Sequence, residues 1–257
     1  MLLEAFPMAF RAVRKNIWLA LAAILISFFM AVLLLLDISI ISQNMVKHLS
    51  DIVLTMETNP SAFLSGSQDL SYAMSQLKIL MIWLTATVPV IFIFFSALSV
   101  FFIHKVAGNK PKFWSFTGRF SLITLIFYLV FLLIAFLLVV SFFLSPLIKF
   151  IFIFLFLLLF LLLFYFYLIF ISMIPGTPTA EIIKKGFGAG TGNFKNYFTL
   201  LLIFLFLILI FLLIALFFSR INSLAGFLIF SLLIIPSIVL MKLLFFILAK
   251  TGERERE

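Results

Sequence analysis

Six long apolar stretches constrain this chain more than any other feature of its sequence. Each is at least 20 residues long, and none contains an acidic residue. A helix needs about 20 apolar residues to cross a hydrocarbon core that is roughly 30 Å thick. Because lipid offers the backbone no hydrogen-bond partners, each of these stretches must be helical. The predicted spans are Ile17–Leu36, Ile79–Ile103, Phe120–Leu144, Phe150–Ile174, Phe198–Phe218 and Leu224–Leu248.

The overall composition agrees with a lipid environment. Hydrophobic residues make up 66% of the 257 residues and charged residues 11%. In a typical soluble domain about half of the residues are apolar and about a quarter are charged. The sequence therefore predicts an all-α, polytopic membrane protein that forms a single integral membrane domain over residues 1–257. Cysteine is absent, which excludes disulfides and thiolate metal sites.

The positive residues between the spans predict the orientation of the chain. Thirteen lie on one side: Arg11, Arg14, Lys15, Lys105, Lys110, Lys112, Arg119, Lys184, Lys185, Lys195, Lys250, Arg254 and Arg256. Four lie on the other: Lys47, Lys78, Lys149 and Arg220. By the positive-inside rule, both termini are cytoplasmic and the protein is a multi-pass protein of the cell membrane. The net charge of +9 does not indicate nucleic acid, which requires a basic patch on a polar folded surface.

The segment 37–78 is the one sizeable connection on the outer side. Its apolar residues recur at three- and four-residue steps, which is typical of one helix face. Asn59-Pro60 interrupts the pattern, and Ser67 could cap a second helix. We expect the first two spans to continue past the membrane, or to bend at its surface, into a helical hairpin. Two interfacial helices that lie flat on the membrane are the alternative.

A short motif occurs twice. Phe10, Ala12 and Asn16 match Phe187, Ala189 and Asn193 at a constant offset, and both stretches lead directly into a span. The segment 113–120 is a looser copy. Basic, aromatic-tipped stretches of this kind are typical of interfacial helices. The alternative is that every cytoplasmic entry to a span has this composition.

Two of these segments carry a family resemblance. They are EAFPMAFRAVRKN at residues 4–16, and AEIIKKGF at 180–187 followed by Gly190 and Asn193. With the six-span layout, the chain resembles the six-helix membrane domain associated with glycerophosphodiester phosphodiesterases and its uncharacterised prokaryotic relatives. Family members with an enzymatic role carry a separate soluble catalytic domain, which these 257 residues do not contain. The resemblance therefore implies an accessory role in the membrane and not the hydrolysis itself.

A glycine-rich run precedes the fifth span, at Gly186, Gly188, Gly190 and Gly192. It is not a Walker loop, because Asn193-Phe194 follows Gly192 where Lys and Ser or Thr are required. Small residues four apart permit close helix packing. The run is therefore interpreted as a packing surface or a flexible elbow, with anion contact as the alternative.

Lys242 is the one charge well inside a predicted span. An intramembrane charge is a functional hypothesis by default. However, Lys242 precedes Lys250 by eight residues, or about 12 Å of helix, so its side chain can also snorkel to the interface. Pro236 would kink the same helix and could open a cavity. The abundant phenylalanines, 38 in all, either face lipid or line a path for acyl chains.

Residues for catalysis or metal binding are few. His48 and His104 fall on opposite predicted sides, so they cannot share a metal, and Glu181 is the sole acid in the inner connections. One acid makes no acid–base pair, so we expect no enzyme and no cofactor. A lipid-modifying enzyme would have to depend on Glu181 or Lys184.

The predicted function is that of an accessory or lipid-interacting membrane protein. Its inner rim would contact anionic headgroups or a cytoplasmic protein partner. The transmembrane subunit of an ATP-driven transporter is the alternative. Candidate contacts on the inner rim are Arg11, Arg14, Lys15, Lys184, Lys185 and Lys195.

Overall fold

The computed structural model describes residues 2–58, 68–141, 146–175, 177–219 and 223–254. These residues form eight helices and no strand. The helices are α1 (Leu2–Lys15), α2 (Ile17–Thr58), α3 (Gln68–Val106), α4 (Phe113–Ser141), α5 (Pro146–Met173), α6 (Thr179–Gly192), α7 (Phe194–Ser219) and α8 (Ser223–Arg254). Six of them, all but α1 and α6, are long and apolar enough to cross a membrane. The predicted all-α fold with six spans is therefore confirmed, whereas its orientation stays a prediction.

Helices α2 and α3 are much longer than a membrane crossing requires. They contain 42 and 39 residues, which at about 1.5 Å per residue is roughly twice the thickness of the hydrocarbon core. The predicted outer segment is thus mostly a continuation of these two helices. Asn59, Pro60 and Ser67 lie outside the described residues.

The chain divides into two compact units, one of Phe29–Phe95 and the other of Met1–Phe28 with Ser96–Glu257. In the first, a polar contact joins α2 to α3. Thr87 Oγ1 donates to Asp37 Oδ2 at 2.7 Å, and Trp83 Nε1 donates to Asp37 Oδ1 at 3.4 Å. Further along the pair, the ring of His48 meets that of Tyr72 edge-on. These contacts show that α2 and α3 run antiparallel in this unit.

Helix α8 is the best-buried span of the larger unit. In its most apolar stretch 61% of the residues are buried, against 17% in α4, 17% in α5 and 22% in α7. It packs against α7, α5 and α1. Consecutive buried residues from Leu243 to Leu248 show that nearly every side of this helix is covered there.

The repeated sequence motif corresponds to a repeated structure. Helices α1 and α6 each have 14 residues, and in each case a single asparagine separates the helix from the next span. The Asn16 N–H donates to Ala12 O at 3.1 Å, and the Asn193 N–H donates to Ala189 O at 3.0 Å. At both asparagines the carbonyl oxygen accepts from the N–H four residues on.

The buried faces of the two copies also coincide. Buried positions in α1 and α2 are Ala5, Ala9, Ala20, Ala23 and Ser27, and their equivalents in α6 and α7 are Ile182, Gly186, Tyr197, Leu200 and Phe204, all buried. The third stretch, 113–120, differs, because it forms the first turns of α4 and not a separate helix. It lacks the single-residue break that asparagine provides in the other two. Whether α1 and α6 lie at the membrane interface stays a prediction.

Candidate functional site

The end of α3 is shaped by a Schellman motif. Gly108 adopts a positive φ of 83°, which glycine tolerates without steric cost. The Asn109 N–H donates to His104 O at 2.9 Å, and the Gly108 N–H donates to Lys105 O at 3.1 Å. These are the two hydrogen bonds that define the motif. The motif ends the helix and directs residues 109–112 towards the start of α4.

His104 fixes this turn to the neighbouring helices. Its side chain is fully buried, and its ring stacks on Phe246 of α8 at 4.0 Å between centroids. Nε2 lies 3.0 Å from Ile171 O in the last turn of α5, and Nδ1 lies 3.1 Å from Asn109 Nδ2. A carbonyl can only accept and an amide nitrogen only donate, so these partners assign the proton to Nε2. His104 thereby satisfies a carbonyl that α5 leaves without an intrahelical partner.

A cavity that we call the basic pocket lies beside this turn, with a volume of about 370 Å³. That volume is within the range of small-molecule sites, about 300–1,000 Å³. Its cationic lining is Lys110, Lys112 and Arg119. The remaining lining residues are Asn109, Pro111, Ser115, Phe116, Ile174 and Pro175.

The charges of the basic pocket are not neutralised within the described part of the chain. There, the acidic groups that form ion pairs are Asp51, with His48, and Glu181, with Lys185. Lys110 and Lys112 are exposed. The partly buried Arg119 donates from Nη1 to Thr177 O at 2.9 Å, which anchors its guanidinium. Three cations around one cavity can bind a phosphate group through charge-assisted hydrogen bonds.

The basic residues singled out from the sequence lie elsewhere. Arg11, Arg14 and Lys15 are exposed on α1, and Lys184 and Lys195 are exposed on α6 and at the start of α7. Lys185 pairs with Glu181 at 3.1 Å. None of these residues lines the basic pocket, and their proposed contacts with headgroups stay predictions.

The glycine run is helical and has two different sides. A Cβ on Gly186 would overlap the ring of Phe170, and one on Gly190 would lie 3.0 Å from Ile169 Cδ1 and from Phe166 Cε1. Tyr165 also donates its hydroxyl to Gly190 O at 2.7 Å. These two glycines therefore bring α6 close to α5. Gly188 faces open space and Gly192 is exposed.

Lys242 lies between the buried Met241 and Leu243 and is itself partly exposed. No acidic group within the described ranges makes an ion pair with it. Snorkelling and an interior site both stay predictions for this residue. Nor do the described ranges bring three or more His, Cys, Asp or Glu residues together as a metal site.

Lys110, Lys112 and Arg119 contribute to the orientation predicted from the sequence, but the sequence did not predict them as a site. One signal was present. Gly108 directly after a span is a helix-ending residue, and the run Asn109-Lys110-Pro111-Lys112 places two cations in the rigid turn that follows. The contribution of Ile174 and Pro175 to the same cavity depends on how α4 packs against α5.

The fold defines a multi-pass α-helical membrane protein. No protein-family model matches the chain, and comparisons with curated proteins and with solved structures find no significant match. The relationship to the six-helix family named above therefore stays a prediction.

Proposed function

We propose that this chain is a non-enzymatic integral membrane protein that binds the phosphate of anionic lipid headgroups in the basic pocket. The observation that supports this most directly is the convergence of Lys110, Lys112 and Arg119 on one cavity of about 370 Å³. Each Lys or Arg close to an anionic membrane surface contributes about 1 kcal/mol of attraction. A bound phosphate would also supply the negative charge that these cations lack in the described residues.

The surroundings of the basic pocket suit the headgroup layer. Trp114 is in the first turn of α4, beside the pocket residues, and is 83% exposed. Exposed tryptophan is enriched at the membrane–water interface. The predicted orientation places this end of α4 at the cytoplasmic leaflet, where anionic lipids are concentrated.

The proposal is tested by titrating a short-chain anionic phospholipid, dihexanoyl phosphatidylglycerol, into the purified protein in a neutral detergent. Fluorescence of Trp114, in a Trp18→Phe, Trp83→Phe background, reports binding. The double variant Lys110→Gln, Lys112→Gln removes two cations. It should lose about 2 kcal/mol of binding free energy, or about thirtyfold in Kd.

The matched control is Lys47→Gln, Lys78→Gln, which removes the same charge on the opposite predicted side. It should leave the Kd unchanged. Two further titrations, with dihexanoyl phosphatidylcholine and with inorganic phosphate, separate an anionic headgroup from a zwitterionic one and from free phosphate. Equal Kd values for the two double variants would refute the proposal.

The ATP-driven transporter is favoured by one observation on α6. This helix exposes Ile183, of which 51% is accessible, beside the exposed cation Lys184. An exposed apolar side chain on a helix outside the six spans is suited to docking a partner subunit. Copurification of an ATPase with the native protein, and its loss in Ile183→Asp, would support that alternative.

A further inference from the structure

An apolar crevice lies in the larger unit, and none of its lining residues belongs to the basic pocket. It has a volume of about 200 Å³ and is almost wholly apolar. Its walls are Phe10 and Val13 of α1, Ala20 and Ile24 of α2, the last turn of α3, and the face of α8 between Pro236 and Leu243. A cavity of about 150 Å³ with such a lining is known to bind benzene, so this one can hold a segment of hydrocarbon chain.

A second cavity, the polar mouth, lies on the same face of α8 one turn further on. Its volume is about 210 Å³, and its lining includes Ala12, Ile247, Lys250 and Thr251. Lys250 is exposed, and within the described ranges it has no acidic partner. Lys250 therefore places a cation in the polar mouth, seven residues beyond Leu243 of the apolar crevice on the same helix.

The spacing along α8 matches the dimensions of one phospholipid. From Ile247 to Pro236 the helix rises about 16 Å, which is close to half of the roughly 30 Å hydrocarbon core. A lipid with its phosphate at Lys250 would thus lay one acyl chain along this face as far as Pro236. The predicted orientation places Lys250 at the cytoplasmic surface, where the headgroup of such a lipid would lie.

The internal repeat indicates what fills the crevice. In the second copy, the equivalents of Phe10, Val13 and Ala20 are Phe187, Gly190 and Tyr197. Phe187 contacts the rings of Phe166 and Phe170, with centroids 4.5 and 5.3 Å away.

The other two equivalents are also covered by side chains of the protein. Gly190 lies against Phe166, and Tyr197 stacks on Phe245. Aromatic side chains of the protein therefore cover, in the second copy, the positions whose equivalents line the crevice in the first.

We infer that the apolar crevice binds one acyl chain of a membrane phospholipid whose phosphate is held at Lys250. The acyl chain would cover these positions as aromatic rings of α5 and α8 cover their equivalents in the second copy. This site goes beyond the proposed function, because it recognises the hydrocarbon tail and shares no lining residue with the basic pocket.

The experiment uses the full chain in nanodiscs of phosphatidylcholine and phosphatidylglycerol that contain a trace of phosphatidylglycerol with a diazirine in one acyl chain. After irradiation, mass spectrometry maps the labelled residues. We expect labelling of the α8 face between Pro236 and Leu243 well above that of lipid-exposed positions of α7. Ala20→Phe places an aromatic ring in the crevice, like that of the equivalent Tyr197. It should reduce this labelling about tenfold, because the ring displaces about two methylene groups of the acyl chain.

Two controls make the outcome decisive. Leu202→Phe adds comparable bulk at an exposed position of α7 and should leave the labelling unchanged. Lys110→Gln, Lys112→Gln should also leave it unchanged, so that failure of the basic pocket and failure of the crevice are distinguishable.

Val13→Phe fills the same space and replaces Ala20→Phe if that variant does not fold. The inference is overturned if the α8 face is labelled no more than the lipid-exposed positions of α7. It is also overturned if the labelling persists in a folded Ala20→Phe or Val13→Phe variant. A free fatty acid that labels this face while the phospholipid does not would also overturn it.

Discussion

Replacing Gly186 with alanine measures how closely α6 packs against α5. The new Cβ would overlap the ring of Phe170, a side chain that is only 5% exposed. The ring has little room to move, because Phe127, Phe166 and Phe187 surround it with centroids 5.3–6.0 Å away. Forcing extra volume into such a site costs about 1–3 kcal/mol.

Gly188→Ala is the matched control on the same helix. Alanine at position 188 meets no atom within 4 Å. Both variants gain the same helix propensity, about 1 kcal/mol for glycine to alanine, so the difference between them isolates the packing cost. Gly190→Ala should fall between the two, since its Cβ would lie 3.0 Å from the ends of two side chains.

The assay is thermal unfolding of the three variants in one detergent, followed by the loss of the monodisperse peak in size-exclusion chromatography. A difference of about 1–3 kcal/mol corresponds to a Tm for Gly186→Ala that is about 2–12 °C below that of Gly188→Ala. If Gly186→Ala melts at or above the Tm of Gly188→Ala, the close contact between α6 and α5 is refuted.

Two further predictions concern the buried histidine and the orientation. His104→Phe keeps a ring against Phe246 but leaves Ile171 O and Asn109 Nδ2 without this partner, so it should lower the free energy of unfolding by about 1–3 kcal/mol. The control His48→Phe should change the free energy of unfolding by less than about 0.5 kcal/mol. An equal loss in both variants would contradict the role assigned to His104. Because the chain has no cysteine, the single variants Lys110→Cys and Glu57→Cys can each be tested with an impermeant maleimide in intact cells. Only Glu57→Cys should react. Labelling of both variants would refute the predicted orientation.

The sequence by itself determined the fold class and the number of helices that are long and apolar enough to cross a membrane. Length and hydropathy suffice for this, because the bilayer forces every long apolar segment to be helical. The motif pairing Asn16 with Asn193 likewise indicated two equivalent segments, and the structure has helices of equal length before each asparagine. A local break in a helix is encoded by residues within one turn, so sequence comparison can find it.

Only the tertiary structure decided which span of the larger unit is the most buried. Mean hydropathy ranks α7 above α8, at 3.6 against 2.7, yet 22% of that stretch of α7 is buried and 61% of the stretch of α8. Lipid tails are as apolar as leucine, so apolarity does not distinguish a lipid-facing helix from a protein-facing one. The small and polar residues of α8, such as the buried Ser231, favour helix contacts, but they do not specify the partners.

The two candidate sites depend on tertiary structure for the same reason. Lys110 and Lys112 follow Gly108 closely in sequence, but Ile174 and Pro175 join them only because the end of α5 packs beside α4. The apolar crevice brings together residues from α1, α2, α3 and α8 that are apolar like most of the chain. A cavity forms where no side chain fills the space between helices. It therefore depends on several segments together and cannot be predicted from any one of them.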